Sequence, residues 1–91
     1  MTREEFNNKY RKYAEPGFEN QLLEFNIPEV TDYLDALFEG MLVGGIDEYN
    51  FDFAQIKLKF GQARVYTNLL PGVNTMIESE INRIVAEVKK K

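Results

Sequence analysis

Few side chains in this chain could support catalysis. The sequence contains neither cysteine nor histidine, which removes thiol chemistry, cysteine-ligated zinc and the commonest general base. Ser79 is the only serine, and no histidine is present to activate it as a nucleophile. Carboxylates are plentiful, but acid–base catalysis needs a pair in a cleft with separated pKa values, and here they are spread along a helical segment. We therefore expect a non-enzymatic protein that uses no cofactor.

Oxygen ligands for a metal ion occur close together in the segment IDEYNFD, residues 46–52. Asp47, Asn50 and Asp52 could bind calcium in principle, but their spacing differs from that of an EF-hand loop and the required glycine is missing. No glycine-rich phosphate-binding loop is present either, since Gly44-Gly45 fits the end of a helix better. We expect no metal site.

The segment FDFAQIKLKFGQARVYT predicts a β-hairpin with strands over residues 51–60 and 63–67. Gly61-Gln62 suits a two-residue type II′ turn, because glycine accepts the positive φ of the first central position. This turn would place Lys59 opposite Arg64, a like-charge cross-strand pair. The other pairs in this register are Phe60 with Ala63, Leu58 with Val65 and Lys57 with Tyr66.

Because side chains alternate along a strand, the hairpin has two different faces. One face is apolar and needs helices to cover it, since a bare hairpin is only marginally stable in water. It carries Ile56, Leu58, Phe60, Ala63 and Val65. The other is a basic and aromatic face that carries Lys57, Lys59, Arg64 and Tyr66, together with Gln55. Phe51 and Phe53 have the opposite parity from Ile56, which predicts a bulge near Ala54-Gln55.

A first helix is predicted over residues 3–14, because Thr2 and Glu5 have the spacing of a capping box. Three of its aromatic residues share one side, namely Phe6, Tyr10 and Tyr13. We interpret this stripe as packing against the body of the domain, and a partner-binding stripe is the alternative. The helix should end at Pro16-Gly17.

The remaining elements complete a small α+β fold, in which a hairpin, or a three-stranded antiparallel sheet, packs against two to three helices. Alternating apolar residues predict a short third strand over residues 22–27. A second helix is predicted over 28–43, with its first residue a proline. A third helix is predicted over 74–88, with Thr75 and Glu78 as its capping pair. The chain of 91 residues is expected to form a single domain, 1–91.

Charge is segregated along the chain, although the net charge is only −4. No basic residue lies between Lys12 and Lys57, and that interval contains ten acidic residues. Four of them fall on one side of the second helix: Glu29, Asp32, Asp35 and Glu39. This acidic face is either a solvated helix surface or a surface offered to a basic partner. The solvated surface carries slightly more weight, but lysine or arginine normally interleaves such a face and none does here, which keeps the second interpretation open.

The basic face of the hairpin has three possible neighbours. Solvent and salt could screen its charges, or the acidic middle of the same chain could neutralise them. The third possibility is an external anion, either an acidic protein or nucleic-acid phosphates with a base stacked on Tyr66. The acidic balance of the whole chain opposes strong independent binding of nucleic acid.

Residues 55–67 and the following helix resemble a segment of a family of uncharacterised small phage and bacterial proteins, which reads roughly Q-[IV]-K-E-K-F-G-G-L-R-F-Y. The identities are Gln55, Ile56, Lys57, Lys59, Phe60, Gly61, Arg64 and Tyr66. The chain departs from the pattern at Leu58 and Gln62, and it lacks the paired cysteines that follow the last helix of that family. The resemblance implies a phage or mobile-element setting rather than a mechanism.

These observations lead to one main hypothesis and two alternatives. The main one is a protein-binding module of a phage or mobile element, which uses the acidic face to occupy the basic surface of a nucleic-acid-handling host protein, in the manner of an anti-CRISPR inhibitor. The first alternative is an RNA- or DNA-binding domain that uses the basic hairpin face. The second is a self-associating structural phage protein. No apolar run approaches the length of a membrane span, so we expect a cytoplasmic protein of the bacterial host, with no membrane partner.

Overall fold

A computed structural model of the chain describes residues 1–14, 17, 23–24, 26–45 and 53–90. Three α-helices and a two-stranded antiparallel sheet make up an α+β fold, as predicted. In chain order the elements are α1 (Arg3–Tyr10), a 3-10 turn (Arg11–Tyr13), α2 (Pro28–Val43), β1 (Phe53–Lys59), β2 (Gln62–Thr67) and α3 (Pro71–Lys89). None of these helices is both long enough and apolar enough to span a bilayer.

The first helix begins with the predicted capping box. The Thr2 hydroxyl accepts a hydrogen bond from the Glu5 backbone N–H at 3.1 Å, and the Glu5 carboxylate accepts one from the Thr2 N–H at 2.9 Å. The α-helix ends at Tyr10, so it is shorter than the predicted range, and the 3-10 turn continues it. The aromatic stripe packs inward as we interpreted it: Phe6 and Tyr10 are buried and Tyr13 is half-buried.

Proline and glycine set the bounds of α2, which match the prediction. Pro28 occupies the first helical turn, where its missing N–H leaves no hydrogen bond unmade, and Gly44 caps the C-terminus. By contrast, α3 starts three residues earlier than predicted, at Pro71. Its N-cap residue is Leu70, without a side-chain cap, so the predicted capping role of Thr75 and Glu78 was wrong.

The hairpin turn is displaced by one residue from its predicted position. Its two central residues are Phe60 and Gly61, both with positive φ (55° and 79°), which is the pattern of a type I′ turn rather than type II′. Lys59 therefore pairs with Gln62 and not with Arg64, and the register continues as Leu58 with Ala63, Lys57 with Arg64, Ile56 with Val65 and Gln55 with Tyr66. The predicted bulge is confirmed by the irregular register between Phe53 and Gln55.

This displacement leaves the two faces of the strands unchanged, because it shifts the cross-strand pairing by two residues and side chains alternate with a period of two. Ile56, Ala63 and Val65 are buried, and Leu58 is half-buried against the core. The exception is Phe60, which we predicted on the apolar face. As a turn residue it is 95% exposed.

The predicted third strand is not shown. Among residues 23, 24, 26 and 27, the only sheet pairing is a single parallel bridge between Leu23 and Ile56, with the Glu24 N–H donating to the Ile56 carbonyl at 3.2 Å. Residues 22 and 25 lie outside the described part of the chain.

All three helices and the hairpin contribute to one hydrophobic core. Helix α3 packs on β2, α2 packs on α3, and α1 packs on α2. The buried apolar residues are Phe6, Tyr10, Leu23, Val30, Leu34, Phe38, Ile56, Ala63, Val65, Ile77, Ile81 and Val85. Helix α3 lies along one edge of the hairpin and supplies three of these residues, and the basic and aromatic side chains point to the opposite face of the ribbon.

Candidate interaction surface

The outer face of the hairpin carries all four residues that were predicted to form a basic and aromatic surface. Lys57 and Arg64 are directly opposite each other, Lys59 lies two pairs nearer the turn, and Tyr66 lies two pairs farther from it. The Lys57 ammonium is 5.6 Å from the centre of the Tyr66 ring, a cation–π contact across the diagonal of the ribbon. The ring remains 47% exposed.

Within the described part of the chain, none of the three cations forms an ion pair with a carboxylate. Arg64 donates one hydrogen bond, to the carbonyl of Ala63 at 3.1 Å. The acidic residue that touches this end of the sheet is Glu24, whose carboxylate accepts a hydrogen bond from the Gln55 amide at 2.6 Å. The outer face therefore presents three cations that no described carboxylate contacts within 4 Å, with the Glu24 carboxylate at its Gln55 end.

The acidic face of α2 has a different environment from the one we expected. One cation that contacts it comes from α1: the Lys9 ammonium lies 2.8 Å from an Asp35 carboxylate oxygen and also pairs with Glu39. The buried Tyr10 hydroxyl donates to the same Asp35 oxygen at 2.6 Å. This arrangement is possible because Lys9 and Tyr10 lie in the last turn of α1, which packs on α2.

The pKa values in this cluster reflect that packing. Partial burial alone would raise the pKa of Asp35, but the hydrogen bonds from Lys9 and Tyr10 outweigh it and hold the pKa below the usual value. The bonds to Asp35 and Glu39 raise the pKa of Lys9. Burial, with the adjacent Asp35 carboxylate, raises the pKa of Tyr10, so this phenol stays protonated.

The other two acids of this face differ from each other. Asp32 contacts the N-terminal ammonium at 2.6 Å and is still 65% exposed. Glu29, in the first turn of α2, is exposed and forms no ion pair with another described residue. Three of the four acids that we predicted as a partner-binding surface thus have an ionic partner inside the fold.

Sequence reasoning missed a row of polar side chains on α3 that borders the edge of β2. Asn82 accepts a hydrogen bond from the Ala63 N–H at 2.8 Å, and Glu78 accepts one from the Val65 N–H at 2.8 Å. Asn74 is 2.6 Å from the Thr67 hydroxyl. The three helix residues are spaced by four and each follows an apolar residue of the buried stripe, so the sequence did contain a signal for this row.

A shallow groove on the helices contains the only serine of the chain. It is lined by Tyr33, Met76, Ser79, Glu80 and Arg83. Arg83 donates to the Glu80 carboxylate at 3.0 Å, and this bond lowers the pKa of Glu80. A carboxylate engaged in this way is a poor general base, so the groove offers Ser79 no evident activation.

The described residues include no cluster of three or more acidic ligands. The segment with Asp47, Asn50 and Asp52 lies outside the described residues.

No protein-family model, curated protein or solved structure matches the chain. Its function is therefore inferred from the chemistry of the surfaces described above.

Proposed function

We propose that this protein is a non-enzymatic binding module whose contact surface is the outer face of the hairpin, and that its partner is a single-stranded nucleic acid. The observation that carries the proposal is the outer face itself. It presents Lys57, Lys59 and Arg64 beside the exposed ring of Tyr66, and no described carboxylate pairs with these cations.

An anion on this face would relieve an unfavourable arrangement. Lys57 opposite Arg64 is a like-charge cross-strand pair, which costs on the order of 0.2–1 kcal/mol when nothing neutralises it. A phosphate placed between the two side chains would convert this repulsion into two favourable contacts. Arginine is also well suited to phosphate, because its planar guanidinium donates two parallel hydrogen bonds.

The aromatic ring favours a single strand over other anions. Proteins that bind single strands without sequence preference combine cations that follow the backbone with aromatic side chains on which bases stack. Tyr66 and the three cations provide both components on one ribbon. Because the whole chain is acidic, we expect weak binding, with a Kd on the order of 10⁻⁴–10⁻⁶ M at physiological salt.

The test is a salt titration of oligonucleotide binding, followed by fluorescence anisotropy with a labelled strand of about 12 nucleotides, within the usual site sizes. Three phosphate contacts predict that log K falls with log salt concentration with a slope of about −2, or roughly −0.7 per contact. Lys59→Gln should reduce the slope by about 0.7, and Lys12→Gln, which removes the same charge from the 3-10 turn, should leave it unchanged. Absence of binding at low salt would refute the proposal.

A second candidate partner is a protein with a basic surface, contacted through the acidic face of α2. This candidate is favoured by the exposure of Glu29, Asp32 and Glu39, of which Asp32 is 65% and Glu39 is 52% exposed. In keeping with the phage-like hairpin segment, the partner would be a nucleic-acid-handling protein in the cytoplasm of a bacterial host, inhibited in the manner of an anti-CRISPR protein. Glu29→Lys should weaken that complex and leave oligonucleotide binding no weaker.

A further inference from the structure

Phe60 occupies an unusual position at the tip of the hairpin. It is the first central residue of the turn, its φ is 55°, and its side chain is 95% exposed. It is also the only non-glycine residue with positive φ in the described part of the chain. A bulky side chain is rare in this backbone region, where asparagine and glycine are favoured.

Neither property of Phe60 helps the fold. The positive φ strains a residue that has a Cβ atom, and asparagine at this position followed by Gly61 would form the preferred type I′ turn. The exposed ring contributes nothing to the hydrophobic core and presents a large apolar surface to water. A strained and exposed aromatic residue at a tip is the kind of outlier that points to function rather than stability.

The position of Phe60 relative to the basic face indicates what the ring could contact. Along the ribbon, the order of pairs from Tyr66 to the tip is Gln55–Tyr66, Ile56–Val65, Lys57–Arg64, Leu58–Ala63, Lys59–Gln62 and then the turn. The two exposed aromatic rings therefore lie at opposite ends of the row of cations. At about 3.3 Å per residue, the backbone distance between the Gln55–Tyr66 pair and Phe60 is roughly 17 Å.

We infer that Phe60 is a base-stacking residue at one end of the single-strand site, with Tyr66 as the stacking residue at the other end. This inference rests on the proposed function and assigns a contact to the tip of the hairpin, namely an unpaired base on Phe60. Phosphates would follow Lys57, Arg64 and Lys59 along the ribbon, and one unpaired base would stack on the Phe60 ring. Since the bases of a duplex are already stacked on each other, the same site should prefer a single strand to a duplex of equal length.

Two substitutions separate a binding role of Phe60 from a structural one. Phe60→Asn removes the ring and suits the positive φ, so the variant should melt about 4 °C higher than the wild type if the strain relieved is of the order of 1 kcal/mol. Its affinity for the single strand should nevertheless fall by about fivefold to 150-fold, the range for losing one stacked base. Phe60→Trp keeps a stacking ring, should retain binding, and should show quenching of its fluorescence on addition of the strand.

Phe60→Leu serves as a third variant, because it keeps an apolar side chain but loses the aromatic ring. We expect it to bind as weakly as Phe60→Asn. If the wild type binds the strand with the expected salt slope, and Phe60→Asn and Phe60→Leu bind as tightly as the wild type, the role of Phe60 is refuted and the proposed function stands. If the wild type does not bind the strand, both fall together.

Anionic membranes provide the competing explanation for an exposed aromatic tip next to cations. Vesicles of mixed phosphatidylcholine and phosphatidylserine test it directly in a co-sedimentation assay. We expect no co-sedimentation of the wild type at physiological salt. Co-sedimentation that is lost in Phe60→Asn, together with single-strand binding that is unaffected by that substitution, would overturn the inference in favour of a lipid surface.

Discussion

The carboxylate of Glu78 accepts a hydrogen bond from the backbone N–H of Val65 at 2.8 Å. The Val65 N–H points away from β1, so a side chain of α3 completes the hydrogen bonding of an otherwise open edge of β2. Asn82 does the same for Ala63, two pairs nearer the turn. The match is geometric, because four residues of a helix rise about 6 Å and two residues of a strand advance about 6.6–6.8 Å. A polar row on α3 thus protects this edge from pairing with another chain.

Replacing Glu78 by alanine should destabilise the fold. The substitution leaves the N–H of the buried Val65 without its acceptor, which costs about 1–3 kcal/mol in the free energy of unfolding. Glu78→Gln keeps an oxygen acceptor and should lose much less. Urea denaturation followed by circular dichroism measures both, and an alanine variant as stable as the wild type would show that water replaces the carboxylate without cost.

Removing both edge acceptors should promote self-association. In the double variant Glu78→Ala, Asn82→Ala, two adjacent N–H groups of β2 become available to another strand. We expect light scattering to detect larger species as protein concentration increases, whereas the wild type should not change. The matched control is Glu80→Ala with Arg83→Ala, which removes an exposed ion pair of α3 that does not contact the sheet.

The sequence predicted those elements whose ends have strong local signals. Helix α2 has a strong signal at each end, a proline at its first position and a glycine at its C-cap, and its bounds were predicted correctly. Pro71 provides the same kind of signal for α3, which begins there and not at the Thr75–Glu78 spacing that the prediction used. Glu78 was free to bind Val65 because the helix needed no side-chain cap there.

The turn and the acidic face show where sequence reasoning fails for physical reasons. Local preference places Gly61 first in the turn, and nothing in the sequence indicates that Phe60 tolerates a positive φ. The periodicity of α2 correctly gathers its acids on one side, but it cannot show that Lys9 and Tyr10 of another helix pack there. The two faces of the hairpin were predictable because they depend only on alternation.

Stability should depend on pH through Asp35. Its pKa is lowered in the folded state by hydrogen bonds from Lys9 and Tyr10 that outweigh the opposing effect of burial. A lowered folded pKa contributes stability above the unfolded value of about 4, and this contribution is lost as pH falls through the lower folded value. Thermal melts should therefore show a decline in Tm below about pH 4. Asp35→Asn should lower Tm at neutral pH and flatten this acid limb. A variant whose Tm declines below pH 4 as steeply as that of the wild type would contradict the role of Asp35.

Charge reversal at single positions of α2 should destabilise the fold at Asp35, which is in contact with α1, and should have little effect at the exposed Glu29. Reversing the charges of Glu29, Asp32, Asp35 and Glu39 one at a time should not affect the fold equally, because only Asp35 accepts a hydrogen bond from the buried Tyr10 hydroxyl. Asp35→Lys would place two ammonium groups together and leave the buried Tyr10 hydroxyl without its carboxylate acceptor. We expect a loss of about 1–3 kcal/mol, since the pair is partly exposed and the Tyr10 hydroxyl keeps the Asp35 carbonyl as an acceptor, whereas Glu29→Lys should change stability by at most about 0.5 kcal/mol. Chemical denaturation of the two single variants is the measurement, and equal stabilities would contradict the packing of α1 on α2.

Lys57→Glu should change stability and binding in opposite directions. It converts the like-charge pair with Arg64 into an opposite-charge pair, which is worth about 0.2–1 kcal/mol of added stability on the sheet. The loss of the contact with the Tyr66 ring opposes this gain only in part. Single-strand binding should fall sharply, because the central cation of the outer face becomes an anion. Lys12→Glu, with the same change of charge outside the hairpin, should bind at least about half as tightly as the wild type.

The packing of α1 on α2 has a consequence for the order in which the chain acquires structure. Helix α1 contains eight residues, fewer than an isolated helix needs to persist in water. We therefore expect α1 to become helical only after α2 has folded, because Phe6 and Tyr10 can then pack against it. If α1 detached from α2, the Phe38 ring would lose its contacts with Phe6 and Tyr10. The Asp35 carboxylate would lose the Lys9 and Tyr10 donors at the same time.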